Sequence, residues 1–309
     1  MLCSTIIPTV NRPSLERAVK SALEQGLGPD EHEIVVVNDS GSPLPVYSWV
    51  DSSQIKIVNT NHCERSVACN VGCALAKGKY LKILHDDDYL LPGALIALIQ
   101  AAESFGSAWT YGALNRVDND DNIISLNKPE EKGDLFALLV AGEGFHPSAS
   151  LIERKAFFEV GGFDPLLKVR EDYDLQCRVA YIGNYGYTPQ VVAHVRIGHQ
   201  GSTTMWDRVA NEHRIVREKA LTYPLTAHRL RKSIGGNTFF RGRICRAYLA
   251  SAWINLRNKR ITTAVSRLGS IISLSGYHFV SPSFWKGLRY RDYWHNVVKE
   301  EEDAFFSKP

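Results

Sequence analysis

Residues 80–92 read Tyr80-Leu81-Lys82-Ile83-Leu84-His85-Asp86-Asp87-Asp88-Tyr89-Leu90-Leu91-Pro92. An apolar strand over Tyr80 to Leu84 runs straight into three consecutive acids, and Pro92 then opens a helix predicted over 93–102. Adjacent carboxylates at the end of a buried strand repel one another and are costly to desolvate, so they make poor structural material. A solvated acidic turn is one reading of them. Their place between a strand and a helix favours another, a seat for a hard divalent cation, Mn²⁺ or Mg²⁺, whose shell is completed by phosphates.

The pattern around this stretch alternates. Ser4 to Ile7 is a β-branched run closed by Pro8, and Ser14 is placed to cap a helix carrying Leu15, Ala18, Val19, Ala22 and Leu23. Ile34-Val35-Val36-Val37 has no polar alternation, as expected of a strand covered on both faces. Ile55 to Val58 reads as a third strand, and Ser66 to Ala76 as a small-residue helix ended by Gly78. This order predicts an α/β domain on a mainly parallel sheet, whose ligands bind beyond the carboxyl ends of the strands. Further on, Val117 to Ile124 reads as a hairpin with a polar turn, 161–165 as a tight loop, and 171–180 as a helix.

Composition sets the outer bounds. The chain has 309 residues, 44% hydrophobic and 22% charged, which excludes a disordered or fibrous protein and suits a catalytic domain with an appendage. No apolar run approaches the roughly 20 residues that span a bilayer. Met1 to Thr5 lacks the basic leader of a signal peptide, and six scattered Cys without CxxC pairing read as reduced thiols. Both features predict a cytoplasmic protein.

Five segments in order resemble family 2 glycosyltransferases, the large GT-A-fold group. Ser4 to Arg12 is similar to that family's opening strand, and Ile34 to Ser42 to its second strand with an acidic-glycine turn. His85-Asp86-Asp87-Asp88 with Pro92 resembles the metal-binding DXD segment. Gly161-Gly162-Phe163-Asp164 followed by Glu171-Asp172 resembles the loop and acidic pair that supply the base, and Val195 to His199 a segment whose histidine often completes the metal or diphosphate site. The resemblance runs from about Ser4 to Thr204. It implies a GT-A-like nucleotide-binding sheet with flanking helices.

It also implies roles. Pro8, Thr9, Asn11, Arg12, Asp39, Arg65 and Asn70 would line the nucleotide-sugar, with Asp39 accepting from the base. Asp86 and Asp88 would face ribose, water or sugar; Asp87, aided by His199, would hold Mn²⁺ or Mg²⁺. Asp172 would be the general base with Glu171 beside it. The implied donor is a UDP-sugar, the acceptor a hydroxyl of a glycan or lipid-linked glycan, the stereochemistry inverting, and the setting surface polysaccharide assembly. Two departures stand out: Asn38 replaces a common acid, and His85 replaces the first acid of the DXD, where it either ligates the metal or hydrogen-bonds the acids. His146 before Pro147 reads either as a residue facing the acceptor or, in preference, as a plain loop residue. A nucleotidyltransferase would use similar acids but needs a Gly-rich, Lys-containing loop after the first strand, which Pro8 to Arg12 is not; an inactive sugar-nucleotide-binding scaffold need not keep Asp39, Asp87 and Asp172 together.

The total charge of +3 hides a split. Residues 206–309 carry 19 Lys and Arg against 8 Asp and Glu, a net of +11, which leaves −8 for the rest. Between Arg229 and Arg291 there are 13 basic residues and no acid. The domains are therefore drawn at 1–204, catalytic, and 205–309, a helical basic extension. Amphipathic basic helices with Trp and Tyr suit anionic lipid headgroups and a peripheral place on the inner face of the membrane. The alternative is a helical cap packed on the catalytic domain, or a homodimer contact. No nucleic-acid-binding module accompanies the charge. Trp206, Trp253, Trp285 and Trp294 read as core or interface aromatics rather than a sugar-stacking set.

Overall fold

The computed structural model of the chain describes residues 1–61, 64–197 and 206–290. They form two units: Met1–Asp134 with Phe145–Glu212, and Leu135–Gly144 with the residues from His213 onward.

The first unit is built on nine strands: β1 (Cys3–Thr9), β2 (His32–Asn38), β3 (Ile55–Asn59), β4 (Tyr80–Ile83), β5 (Tyr89–Leu90), β6 (Trp109–Val117), β7 (Ile123–Asn127), β8 (Ser150–Glu153) and β9 (Tyr185–Arg196). They make one sheet in the order β3-β2-β1-β4-β8-β6-β9-β5, with β7 paired to β6. The first four in that order are parallel. β8 runs antiparallel to both β4 and β6, and β6 is parallel to β9. The helices are α1 (Leu15–Leu23), α2 (Arg65–Leu75), α3 (Ala94–Phe105), α4 (Phe136–Val140), α5 (Arg154–Glu159), α6 (Glu171–Ile182), α7 (Trp206–Leu221), α8 (Thr226–Ile234), α9 (Thr238–Arg257), α10 (Ile261–Ser275) and α11 (Pro282–Arg289).

The apolar run of β2 behaves as its composition requires, since Ile34 to Val37 are all fully buried. One face is covered by α2 at very close range: a Cβ on Gly72 would lie 2.5 Å from the Ile6 side chain. A larger residue there would push the helix off the sheet.

Two local expectations change. β1 does not stop at Pro8 but continues to Thr9, with Pro8 opposite Val37. The β1–β4 ladder ends at Ile6 opposite Ile83, so the amide hydrogen that proline lacks is not needed on that side. Ser14 precedes α1 with a helical backbone and its side chain makes no capping bond; its carbonyl accepts from Arg17 N–H instead.

The second unit is helical, and polar contacts hold it together. Arg267, 8% exposed, donates to Glu218, to Ser251 Oγ and to the Leu221 carbonyl. Arg243, 4% exposed, pairs with Glu143 and the Ala141 carbonyl. Two cations of the acid-free stretch are thus internal ties. Trp253 and Trp285 are exposed rather than core residues. No helix among the described residues is long and apolar enough to cross a membrane.

Candidate active site

Because β1, β2 and β4 are parallel, the residues that follow them emerge at one edge of the sheet. At the end of β1, Thr9 Oγ1 donates to Asp86 Oδ2 at 2.6 Å and accepts from Asn11 N–H at 2.8 Å. Asn11 takes a left-handed backbone, φ 64°, and the chain turns there. Arg12 then reaches Asp86 Oδ1 at 2.5 Å and Asp87 Oδ2 at 3.4 Å. Burial raises the pKa of the Asp86 carboxyl, while Arg12 and the Thr9 hydroxyl pull it back.

At the end of β2, Asp39 donates its N–H to the Thr9 carbonyl, and its Oδ1 accepts from Thr60 Oγ1 at 2.6 Å. The neighbouring Asn38 explains its own departure from an acid. Its amide nitrogen donates to the Ser42 carbonyl and to Asn59 Oδ1, and its oxygen accepts from Ser40. An aspartate could not supply those donors.

The start of α6 is fixed from several sides. Gly161 and Gly162 both have positive φ, and a Cβ on Gly162 would meet Asn70 Oδ1 at 2.7 Å. Asn70 clamps the next residue, pairing with both the N–H and the carbonyl of Phe163 at 2.9 Å. Its amide therefore secures this loop, an engagement the sequence reading did not foresee. Glu212 Oε2 accepts the N–H groups of Lys168 and Val169, each at 2.9 Å. Glu171 is buried and ion-paired with Arg65 of α2. Burial lifts the Glu171 pKa and Arg65 opposes that rise. Asp172 is less buried, and its Oδ1 accepts from Tyr173 N–H at 2.7 Å.

After β4 lies a cluster of which sequence reasoning named Asp88 and His85 but not His146. Asp88 is buried, accepting from Ser148 Oγ at 2.5 Å and from Arg196 N–H at 3.0 Å. Its Oδ2 is 3.7 Å from His85 Nδ1 and 3.8 Å from His146 Nδ1. Beneath, the fully buried Lys82 donates to the carbonyls of Pro147, Ser148 and Ser150 and so pins the turn that carries His146. Burial pushes the Lys82 pKa down to about 7. A lysine inside an otherwise apolar strand was the available signal. His146, read as a plain loop residue, belongs to this cluster instead. His199 lies outside the described residues. A separate open cavity of about 520 Å³ is lined by Arg17, Lys20, Gln25, Tyr89 and Leu91 among others, and no strand-end acid borders it.

The sequence model described as "Glycosyl transferase family 2" matches residues 4–161, half of the chain. The chain belongs to that family. The transferase is 29% identical over 197 residues to the uncharacterized glycosyltransferase YwdF of Bacillus subtilis, covering 58% of this chain and 68% of YwdF. It is 28% identical over 161 residues to the poly(ribitol-phosphate) β-N-acetylglucosaminyltransferase TarP of Staphylococcus aureus, covering 50% of this chain and 45% of TarP. Several other glycosyltransferase relatives are matched over less than half of their own length. In fold, the transferase superposes on S. aureus TarS 1-349 in complex with UDP with a TM-score of 0.59 at 15% identity, covering 94% and 93% of the two chains. For the mannosyltransferase PcManGT of Pyrobaculum calidifontis, in complex with GDP-Man and Mn²⁺, the TM-score is 0.52 at 16% identity, covering 99% and 88%. The sheet with its flanking helices is GT-A-like, as the resemblance implies, and the transferase is an enzyme.

Proposed function

We propose that the chain is an inverting, divalent-metal-dependent transferase that moves a sugar from a UDP-sugar to a hydroxyl of a glycan or lipid-linked glycan in surface polysaccharide assembly. One observation carries this reading. Asp87, Asp172, Arg65 and Arg12 all lie close enough to the His85 imidazole to bias its charge, which gathers the acids after β4 and the acid opening α6 in one neighbourhood.

The chemistry assigns each group a task. Asp172 accepts the proton of the acceptor hydroxyl as its oxygen bonds to the anomeric carbon. The bond from that carbon to the diphosphate oxygen breaks on the opposite face, which inverts the centre. Asp39 and Thr9 hold the nucleoside, and Arg12 fixes Asp86 and Asp87. Mn²⁺ or Mg²⁺ held by Asp87 would neutralise charge growing on the leaving diphosphate. The hard-oxygen donors of the β4 end suit such an ion. TarS with UDP, PcManGT with GDP-Man and Mn²⁺, and TarP by its named activity support this choice of donor, ion and product class.

A panel of UDP- and GDP-sugars with Mn²⁺ tests the reading, with release of nucleoside diphosphate as the readout. Turnover of at least one UDP-sugar is expected, falling at least about tenfold on chelation, as a lost electrostatic stabiliser requires. Silence toward every donor, or full activity after chelation, overturns it.

The basic unit supplies a second part, a surface for anionic lipid at the cytoplasmic face of the membrane. Ile261, Val265, Leu268 and Ile272 are 46–75% exposed and follow helical spacing along one side of α10. Exposed Trp253 precedes them, and exposed Arg257, Lys259 and Arg260 stand at the intervening turn. Apolar side chains ringed by cations fit headgroups better than they fit water. The whole chain is expected to sediment with phosphatidylserine vesicles and not with neutral ones, and Val265→Glu with Ile272→Glu to abolish this. Sedimentation unaffected by those changes, or replaced by concentration-dependent dimerisation, counts against it.

A further inference from the structure

The turn that leads into β8 is tied down from three directions. His146 caps the 3₁₀ turn Pro147–Ala149, its Nδ1 accepting the Ser148 N–H at 3.3 Å, while its carbonyl accepts from Ala149 N–H and Ser150 Oγ. From β4, the ammonium of Lys82 directs all three of its donors to the carbonyls of Pro147, Ser148 and Ser150. A cation buried in an apolar strand is costly, and only those carbonyls call for one here. From α6, Gln176, 1% exposed, holds both ends of the preceding residue: it accepts the Phe145 N–H at 2.7 Å and donates to the Phe145 carbonyl at 2.8 Å.

His146 is thereby fixed both to the strand that ends in the acids and to the helix that opens with Asp172. Its side chain keeps 28% exposure, and its ring stands edge-on to His85 with centroids 5.3 Å apart. In the sheet, β8 lies next to β4 on the side away from β1 and β2, so His146 stands across the acids from the groups proposed to hold the nucleoside. That is the side left for the sugars. Because Nδ1 accepts a hydrogen bond, the ring proton sits on Nε2. Among the described residues no hydrogen bond engages that N–H.

We propose that His146 is a specificity-determining residue for the acceptor, its Nε2–H donating to a ring hydroxyl of the acceptor sugar, with Lys82 and Gln176 as the positioning residues that fix where that donor stands. A neutral N–H on a rigid turn reads a hydroxyl by its place, and an acceptor lacking that hydroxyl leaves the donor unpaired. This rests on the transferase reading above and deepens it by saying how the acceptor is recognised. The test reads binding without turnover, so the two can fail separately.

The probes are p-nitrophenyl glycosides of glucose, galactose, N-acetylglucosamine and N-acetylgalactosamine, titrated into the full-length protein with UDP and Mn²⁺ and followed by saturation-transfer NMR; UDP affinity is measured separately by calorimetry. The wild type is expected to bind at least one glycoside. His146→Asn keeps an oxygen that can cap the turn but has no donor at the Nε2 position, and should bind that glycoside about 3- to 10-fold more weakly, the effect of one neutral hydrogen bond. His146→Gln places an amide N–H near the Nε2 position and should stay within about twofold of the wild type. UDP affinity should be the same in all three. Lys82→Met, of similar volume, should weaken the same glycoside at unchanged UDP affinity and add nothing further to His146→Asn, because both act through one donor. The histidine pair decides the matter whether or not Lys82→Met folds. No glycoside bound by the wild type, or full binding by His146→Asn with weakened binding by His146→Gln, overturns the proposal, the second outcome assigning His146 to the cap alone. The expected glycoside pattern without UDP binding leaves it standing and removes the UDP-sugar reading instead.

Discussion

Asp172→Asn is expected to lower sugar transfer to the acceptor by about 10²- to 10⁴-fold, the usual contribution of a positioned general base. Donor affinity is expected to stay unchanged, because the groups proposed to hold the nucleoside follow β1 and β2. The competing role for Asp172 is structural, an acid in the first turn of α6 complementing the helix dipole, worth about 0.3–1 kcal/mol. Asparagine keeps the oxygen that accepts from Tyr173 N–H, so folding should barely respond. Steady-state kinetics read the difference: kcat and kcat/KM for the acceptor fall together, with no drop in unfolding temperature. Full transfer with a lowered melting point would assign Asp172 to the helix and leave the base elsewhere.

Much of the frame was legible because its signals are local. The Ile34–Val37 run, the small-residue helix ending before Gly78 and the acids after β4 each declare themselves within about ten residues, and the sheet's parallel strands then bring their ends together. The site's support was not legible because it is built by pairing across long separations. Asn70 meets Phe163 across 93 residues, and Lys82 meets the turn at Ser148 across 66. His146 reaches Asp88 because β8, which follows it, pairs antiparallel with β4. No periodicity near His146 encodes that register. Charge counting in the last hundred residues had a similar limit. It counted Arg243 and Arg267 with the surface cations, and only burial separates ties inside the helices from charges facing outward.

Arg65→Ala is expected to destabilise the fold by about 3–5 kcal/mol, the range for stripping one partner from a buried ion pair. Glu171 is 3% exposed, and its Oε2 has no hydrogen-bond partner among the described residues, so Arg65 is the main compensation for its charge. The reverse change, Glu171→Gln, should cost less, because the Arg65 side chain is 35% exposed and can be hydrated. The double variant should recover most of the loss, since it removes the orphaned charge along with its partner. The pH dependence has a definite sign. Burial already holds the Glu171 carboxyl above its ordinary value of 4.5, and losing Arg65 raises it further. A carboxyl whose folded pKa exceeds its unfolded one stabilises the fold below the unfolded value and loses that contribution as pH rises through the folded one. The Arg65→Ala deficit should therefore be smallest near pH 4 and grow toward neutrality, and urea unfolding at several pH values measures it. A deficit independent of pH, or one the double variant does not relieve, would mean that Arg65 acts through packing rather than through the Glu171 charge. Transfer should fall with stability in the single variant, because Glu171 and Asp172 open the same helix.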